Sequence, residues 1–129
     1  FGGFSEVDPW IPMDDKHRRW NAEAQGRDPN SVLNFYRELL KIRKDHPSLI
    51  YGDIAITNQN TRDLFTYERT MGHETLKVIC NLSCRELKFK RPSDQNRVLI
   101  TNYPGAEGDS LKPYEAILCT KDPVKRGAI

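Results

Sequence analysis

The hydrophobic period of this chain changes once, and that change constrains the fold more than any other feature. Val32, Phe35, Tyr36, Leu39, Leu40 and Arg43 recur at helical spacing, so they lie along one face of a helix. Asp28 and Pro29 come just before them. An aspartate can accept a bond from a free first-turn amide, and a proline loses nothing at the first helical position. The spacing therefore predicts a helix over 29–45. Glu38 and Lys41, three apart on the polar side, can pair weakly. Pro47 predicts the stop, because the residue before a proline is biased out of the helical region. From residue 48 the period is two. Runs at 49–51, 54–56, 64–67, 76–82, 87–89, 98–100 and 114–119 are divided by Gly, Pro, Asn and Asp. Met71-Gly72-His73 reads as a turn between two of them. Five to seven short strands in this pattern predict an antiparallel sandwich or barrel.

Residues 1–27 obey neither period. They hold Gly2, Gly3, Pro9, Pro12 and Gly26, together with Trp10 and Trp20. An irregular stretch of this length is unusual in a compact domain unless it packs on something larger. A single amphipathic helix ahead of a β-module also needs a cover for its apolar stripe. The chain opens FGGFSEV, without Met. Together these features lead to the expectation of a processed chain or a piece of a longer one.

Charge and cysteine usage narrow the class. Lys and Arg number 20 against 18 Asp and Glu, a net charge of +2. That balance argues against a nucleic-acid binder, which concentrates basic charge on one face. No run of about 18 apolar residues exists, so no membrane span is expected. The three cysteines, Cys80, Cys84 and Cys119, are odd in number. Cys80 and Cys84 lack the two-residue spacing of a metal knuckle, and His17, His46 and His73 are scattered. Reduced thiols in a cytoplasmic setting, with no metal and no cofactor, are the expectation. Asn81-Leu82-Ser83 is a glycosylation pattern, meaningful only in a secreted chain. Lys16-His17-Arg18-Arg19, behind Asp14 and Asp15, reads as a solvated loop. Lys88, Lys90 and Arg91 alternate with Leu87 and Phe89, as on the polar face of a strand.

Glycosidic bond hydrolysis needs two carboxyls across a sugar. Asp14, Asp15, Glu23, Glu68, Glu74 and Glu115 form no recognisable constellation and are expected to be solvated charges. The chain has no G-x-S-x-G elbow and no phosphate-cradling glycine loop. No catalytic residue is assigned. Phe4, Trp10 and Trp20 are more suggestive, because flat rings in a loop can stack on the apolar C–H faces of sugars or anchor the loop on a neighbouring surface.

Several stretches, in order, resemble one family. Gly3-Phe4 with Pro9-Trp10-Ile11-Pro12, then Asn21-Ala22-Glu23-Ala24-Gln25, are similar to segments of the α-glucosidases of glycoside hydrolase family 13. So are Asp28-Pro29-Asn30-Ser31, Tyr36-Arg37, Leu40-Lys41-Ile42-Arg43-Lys44 and Tyr51-Gly52-Asp53. Asn102-Tyr103-Pro104 and Leu111-Lys112-Pro113-Tyr114-Glu115-Ala116 complete the set. Phe1, Gly2, Trp20 and Cys119 depart from the family's usual residues.

The resemblance implies a mainly β chain. An antiparallel C-terminal β-sandwich, domain C, at 48–129 would follow the end of a catalytic (β/α)8 barrel at 1–47, made of a loop at 1–27 and the last barrel helix at 29–45. It implies a parent that hydrolyses α-1,4 or α-1,6 glucosidic bonds of maltose- or isomaltose-type oligosaccharides, with its catalytic carboxylates outside this chain. Here the role would be structural, with Phe4 and Trp10 at the substrate rim. The partner would be an oligosaccharide held by the barrel, with no nucleic acid and no membrane. Two other readings stay open: the ectodomain of an amino-acid transporter heavy chain, and a non-catalytic carbohydrate-binding β-module.

Overall fold

A computed structural model describes residues 5–14, 16, 20–58, 62–92 and 97–121 of the 129-residue chain. These residues form a mainly antiparallel β structure with few helices. They fall into two compact units, Phe1–Lys41 and Ile42–Ile129. The division lies inside the longest helix.

The first unit has an element that the periodicity did not predict. Helix α1 spans Ala22–Arg27 within the stretch expected to be loop, and Asn21 caps it by accepting the Ala24 amide at 2.8 Å. Asp28 does not begin the next helix. It closes α1 through its own amide, bonded to the Ala24 carbonyl, and its carboxylate takes the Asn30 amide at 2.9 Å. Helix α2 therefore starts three residues later than expected and spans Val32–Asp45. Ser31 does the capping, with its hydroxyl accepting the Asn34 amide at 3.2 Å. Serine is as good a cap as aspartate. The choice was made by the turn, because Ser31 also donates to the Gln25 carbonyl at 2.6 Å.

The second unit begins with the last turn of α2. Ser48–Tyr51, expected to open the first strand, forms the short helix α3. Pro47 pre-sets the helical angle at its start. Seven strands follow among the described residues: β1 Asp53–Asn58, β2 Leu64–Met71, β3 Glu74–Asn81, β4 Leu87–Lys88, β5 Val98–Thr101, β6 Ser110–Leu111 and β7 Ala116–Thr120. Five of them make one sheet in the order β1-β2-β3-β7-β5, and β4 pairs with β6 in a separate two-stranded sheet. Every pairing is antiparallel. The turn at Gly72 joins β2 to β3 with Met71 opposite Glu74, and Gly72 supplies a φ of +59°. Such an angle suits glycine, which has no Cβ to clash.

Strand alternation sends side chains to two cores. Ile79, Ile117 and Cys119 point to one face, where Leu111 of β6, Leu64 and Phe89 meet them. Leu76 and Leu118 point to the other, packed with Ile42 of α2 and with Leu49, Val78, Leu99 and Ile100. Burying a leucine or isoleucine fully is worth about 1.5–3 kcal/mol, so β3 and β7 carry most of the apolar burial. Gly52 shows why the chain can turn from α3 into β1. A Cβ there would stand 2.5 Å from the Ser48 carbonyl oxygen and 2.7 Å from that of Thr70. Only glycine fits so close an approach.

Candidate functional site

Each described carboxylate considered for catalysis is engaged in a bond of its own. Glu23 pairs with Arg27 one helical turn on. Asp14 accepts the Lys16 amide at 2.9 Å. Glu68 takes two bonds from the Lys121 ammonium, at 2.8 and 3.0 Å. Asp15 lies outside the described residues.

Glu74 and Glu115 are not the solvated charges expected of them. Glu74 opens β3 and binds the α2–α3 corner. One of its oxygens is 2.6 Å from His46 Nδ1, and the other accepts the Ser48 hydroxyl. Burial pushes this carboxyl upward, but the bonds from Ser48 and His46 outweigh it, and its pKa lies below the usual range. Arg69 fixes the same corner by donating to the Ser48 carbonyl at 3.2 Å.

Glu115 is fully buried. Its two oxygens accept a fork of bonds from Arg91 at 2.9 and 2.7 Å, and one of them also takes the Lys112 amide at 2.8 Å. A buried charge requires such a partner set, since bare burial of an ion is prohibitive. Arg91 was read as part of a strand's polar face. Instead β4 ends at Lys88, and the guanidinium turns inward.

The residues around Glu115 form one polar cage. Asn81 is buried, and its amide nitrogen donates to the Arg85 carbonyl at 2.7 Å and the Lys112 carbonyl at 2.8 Å. Its oxygen accepts the Ser83 amide and hydroxyl. Asn102 holds the Tyr114 carbonyl and the Ala116 amide, and the Tyr103 hydroxyl donates to the Pro113 carbonyl at 3.1 Å. The glycosylation pattern thus falls on an asparagine whose amide nitrogen is already used inside the fold. Local spacing could not have revealed the Lys112 partner, which lies 31 residues away.

Of the two rim candidates, Phe4 lies outside the described residues. Trp10 is 93% exposed, with Ile11 beside it also exposed. The basic cluster at 17–19 lies outside the described residues too. Among the described residues no group of three or more His, Cys, Asp or Glu side chains could hold a metal ion. No helix among them is long and apolar enough to cross a membrane. Cys80, Cys84 and Cys119 are free thiols, and burial pushes Cys80 and Cys119 upward, away from the reactive thiolate.

One surface of the first unit is unusually apolar. Val32, Tyr36 and Leu40 follow one another at four-residue intervals on α2, and are 71%, 59% and 51% exposed. With Ala22, Gln25, Leu33 and Arg37 they line a shallow groove of about 480 Å³.

Known proteins resemble this chain over most of its length. Residues 1–52 match the family model described as Alpha-amylase, the alpha amylase catalytic domain. An alpha-glucosidase from Candida albicans is 34% identical over 125 residues, which is 95% of this chain and 22% of the relative. The trehalose-6-phosphate hydrolase of Bacillus subtilis (strain 168) is 36% identical over 126 residues, covering 91% and 22%. Among solved structures, a trehalose-6-phosphate hydrolase from Bacillus licheniformis superposes with a TM-score of 0.79 at 30% identity, over 94% of this chain and 24% of that one. An isomaltulose synthase from Klebsiella sp. LX3 gives 0.78 at 26% identity, over 92% and 22%. The chain thus spans about a fifth of the length of the relatives it matches. Over that stretch it is similar to α-glucosidase-type glycoside hydrolases and, in residues 1–52, to the alpha amylase catalytic domain.

Proposed function

We propose that this chain is the C-terminal part of a retaining α-glucosidase that hydrolyses α-1,4 or α-1,6 bonds of maltose- or isomaltose-type oligosaccharides. Its own role is structural. Residues 1–47 complete a catalytic (β/α)8 barrel, and residues 48–129 form the C-terminal β-sandwich. The observation that carries this reading is the exposed stripe of Val32, Tyr36 and Leu40, on a stretch that matches a catalytic-domain model. Three exposed apolar residues at helical spacing mark a face that packs on something. A barrel body would cover it. The parent's retaining chemistry would use a nucleophile that forms a glycosyl-enzyme and an acid/base that protonates the leaving oxygen.

Trp10, exposed on a loop, suits the outer rim of the substrate site in this reading, and so does Phe4. The three free thiols favour a reducing compartment and therefore the cytoplasm. The experiment is an assay on maltose and isomaltose. The 129-residue chain alone is expected to be inactive, and the longer enzyme that contains it active. Replacing Val32, Tyr36 and Leu40 together by lysine should abolish the longer enzyme's activity while the β-unit still folds. Turnover by the pure chain would overturn the reading.

A further inference from the structure

Tyr114 is the one described non-glycine residue with a positive φ, at +57°. Left-handed backbone is costly for a residue with a Cβ and a bulky ring, and it persists only where the surroundings over-determine it. The surroundings here do. The Tyr114 amide donates to the Ser83 carbonyl at 3.1 Å, and its carbonyl accepts from Asn102 at 2.9 Å. Pro113 before it is held by Tyr103, and Glu115 after it by Arg91 and the Lys112 amide. All this fixed geometry ends in a side chain that is 62% exposed. Core packing therefore does not explain the strain. A rigid mount that displays an aromatic ring to solvent does.

The location separates this ring from the barrel-facing end. Strand β3 starts at Glu74, bonded to Ser48 at the α2–α3 corner, and ends at Asn81, inside the cage that holds Tyr114. Eight residues of strand span about 23 Å. The catalytic-domain match ends at residue 52, next to the first of these ends. Tyr114 stands at the other.

The exposed surface there is small. Leu82, also exposed, adjoins the Ser83 carbonyl that binds Tyr114, and exposed Lys112 keeps its ammonium 5.7 Å from the Tyr103 ring centre. A protein interface takes roughly 800 Å² on each side, far more than one ring and a leucine offer. A flat ring with polar neighbours suits a small ligand with one apolar face and a rim of hydroxyls. A pyranose has that chemistry. A ring fixed in advance also loses little conformational freedom on binding.

We propose that Tyr114 is a stacking platform for a glucosyl unit of an oligosaccharide. The choice of a glucosyl ligand rests on the α-glucosidase reading above. The test is titration of the full 129-residue chain with maltotetraose, following ring-labelled tyrosines by NMR. The Tyr114 signals should shift saturably, with a Kd of about 1–10 mM, the range expected of a single weak contact. Tyr114→Phe, which keeps the ring, should bind within about twofold of that value by the same affinity arithmetic. Tyr114→Gly should lose binding at least about tenfold while its Tm does not fall, because glycine removes the strain and no packing is lost. A missing shift in tens of millimolar sugar (on the order of ten times the Kd above) would overturn the site. So would unchanged binding by Tyr114→Gly, or shifts that follow protein concentration rather than sugar. Hydrolysis of maltose by the longer enzyme without a Tyr114 shift overturns this site and leaves the parent reading standing. A Tyr114 shift beside an inactive longer enzyme does the reverse.

Discussion

The two units are held by opposite means. In the first, α1 buries no residue, and only Ser31 of the α1–α2 turn is buried. Side-chain to backbone bonds do the work there: Asn21, Gln25, Ser31 and Asn34 knit the turn while the apolar stripe of α2 stays exposed. In the second, Leu76, Ile79, Leu111 and Ile117 are essentially inaccessible, and even the charges Arg91 and Glu115 are drawn in. Hydrogen bonds give a helical corner its shape, but little net stability in water. Apolar burial is the dominant favourable term in folding, and among the described residues it is concentrated in the second unit. The difference teaches which part of the chain brings its own core and which part expects one.

The sharpest way to break the second unit is to orphan a buried charge. Glu115→Ala leaves the Arg91 guanidinium without its carboxylate. Breaking a buried pair from one side costs about 3–5 kcal/mol, so urea denaturation should show the β-unit losing most of its stability. Leu76→Ala should come close, at about 2–5 kcal/mol. A Glu115→Ala variant with native stability would show that the cage is not what holds the Lys112–Ala116 turn.

Asn81→Ala comes next. It strips partners from the Arg85 and Lys112 carbonyls and from Ser83, at about 1–3 kcal/mol for the buried groups left unsatisfied. Its Tm should fall clearly. Expression in a glycosylating host should leave Asn81 of the folded chain unmodified, which mass spectrometry reads directly. Gly52→Ala should cost about 1–3 kcal/mol, as overpacking against the Ser48 and Thr70 backbone forces α3 off β2.

A smaller expected effect is more specific. The Glu74 carboxyl is held below its ordinary value, with burial opposing the bonds from Ser48 and His46 and losing to them. A group depressed in the folded state stabilises above its unfolded pKa, and that contribution fades as pH falls through the folded one. Acidification through the carboxylate range should therefore loosen the α2–α3 corner, and Glu74→Gln should flatten that dependence. The side chain is 37% exposed, so solvent screening keeps the effect below about 1 kcal/mol. A pH profile unchanged in Glu74→Gln would remove this carboxylate from the account. In the first unit, Leu40→Lys in the chain alone should stay within about 0.5 kcal/mol, as for an exposed position. A larger loss would mean that the stripe already has its cover.

Legibility in the sequence followed the range of the interactions. The change of period separated α2 from the strands, and the Met71-Gly72-His73 turn was visible because a hairpin is a local event. The start of α2 was misplaced by three residues because Asp28 and Ser31 are both competent caps. Only the bonds from Ser31 and Asn34 back to Gln25 chose between them. The short α3 helix was taken for strand because Leu49, Ile50 and Tyr51 carry strand-like side chains, while Pro47 and the close approach at Gly52 dictate the backbone. In the sequence, Asn81 belongs to a sequon, Arg91 to a basic alternation, and Glu115 to a short motif and a set of scattered carboxylates. Each is polar and unremarkable among its neighbours.

The sequence by itself determined the helix, the antiparallel β character and the likeness to family 13, since all three rest on periods and short ordered motifs. Tertiary structure alone decided that Glu115 is buried beside Arg91, that Asn81 faces inward, and that Tyr114 is held in left-handed backbone with its ring exposed. The physical reason is sequence separation. Arg91 lies 24 residues from Glu115, and Asn81 lies 31 from Lys112. A charge or amide reads as solvent-facing until the fold brings its partner to it.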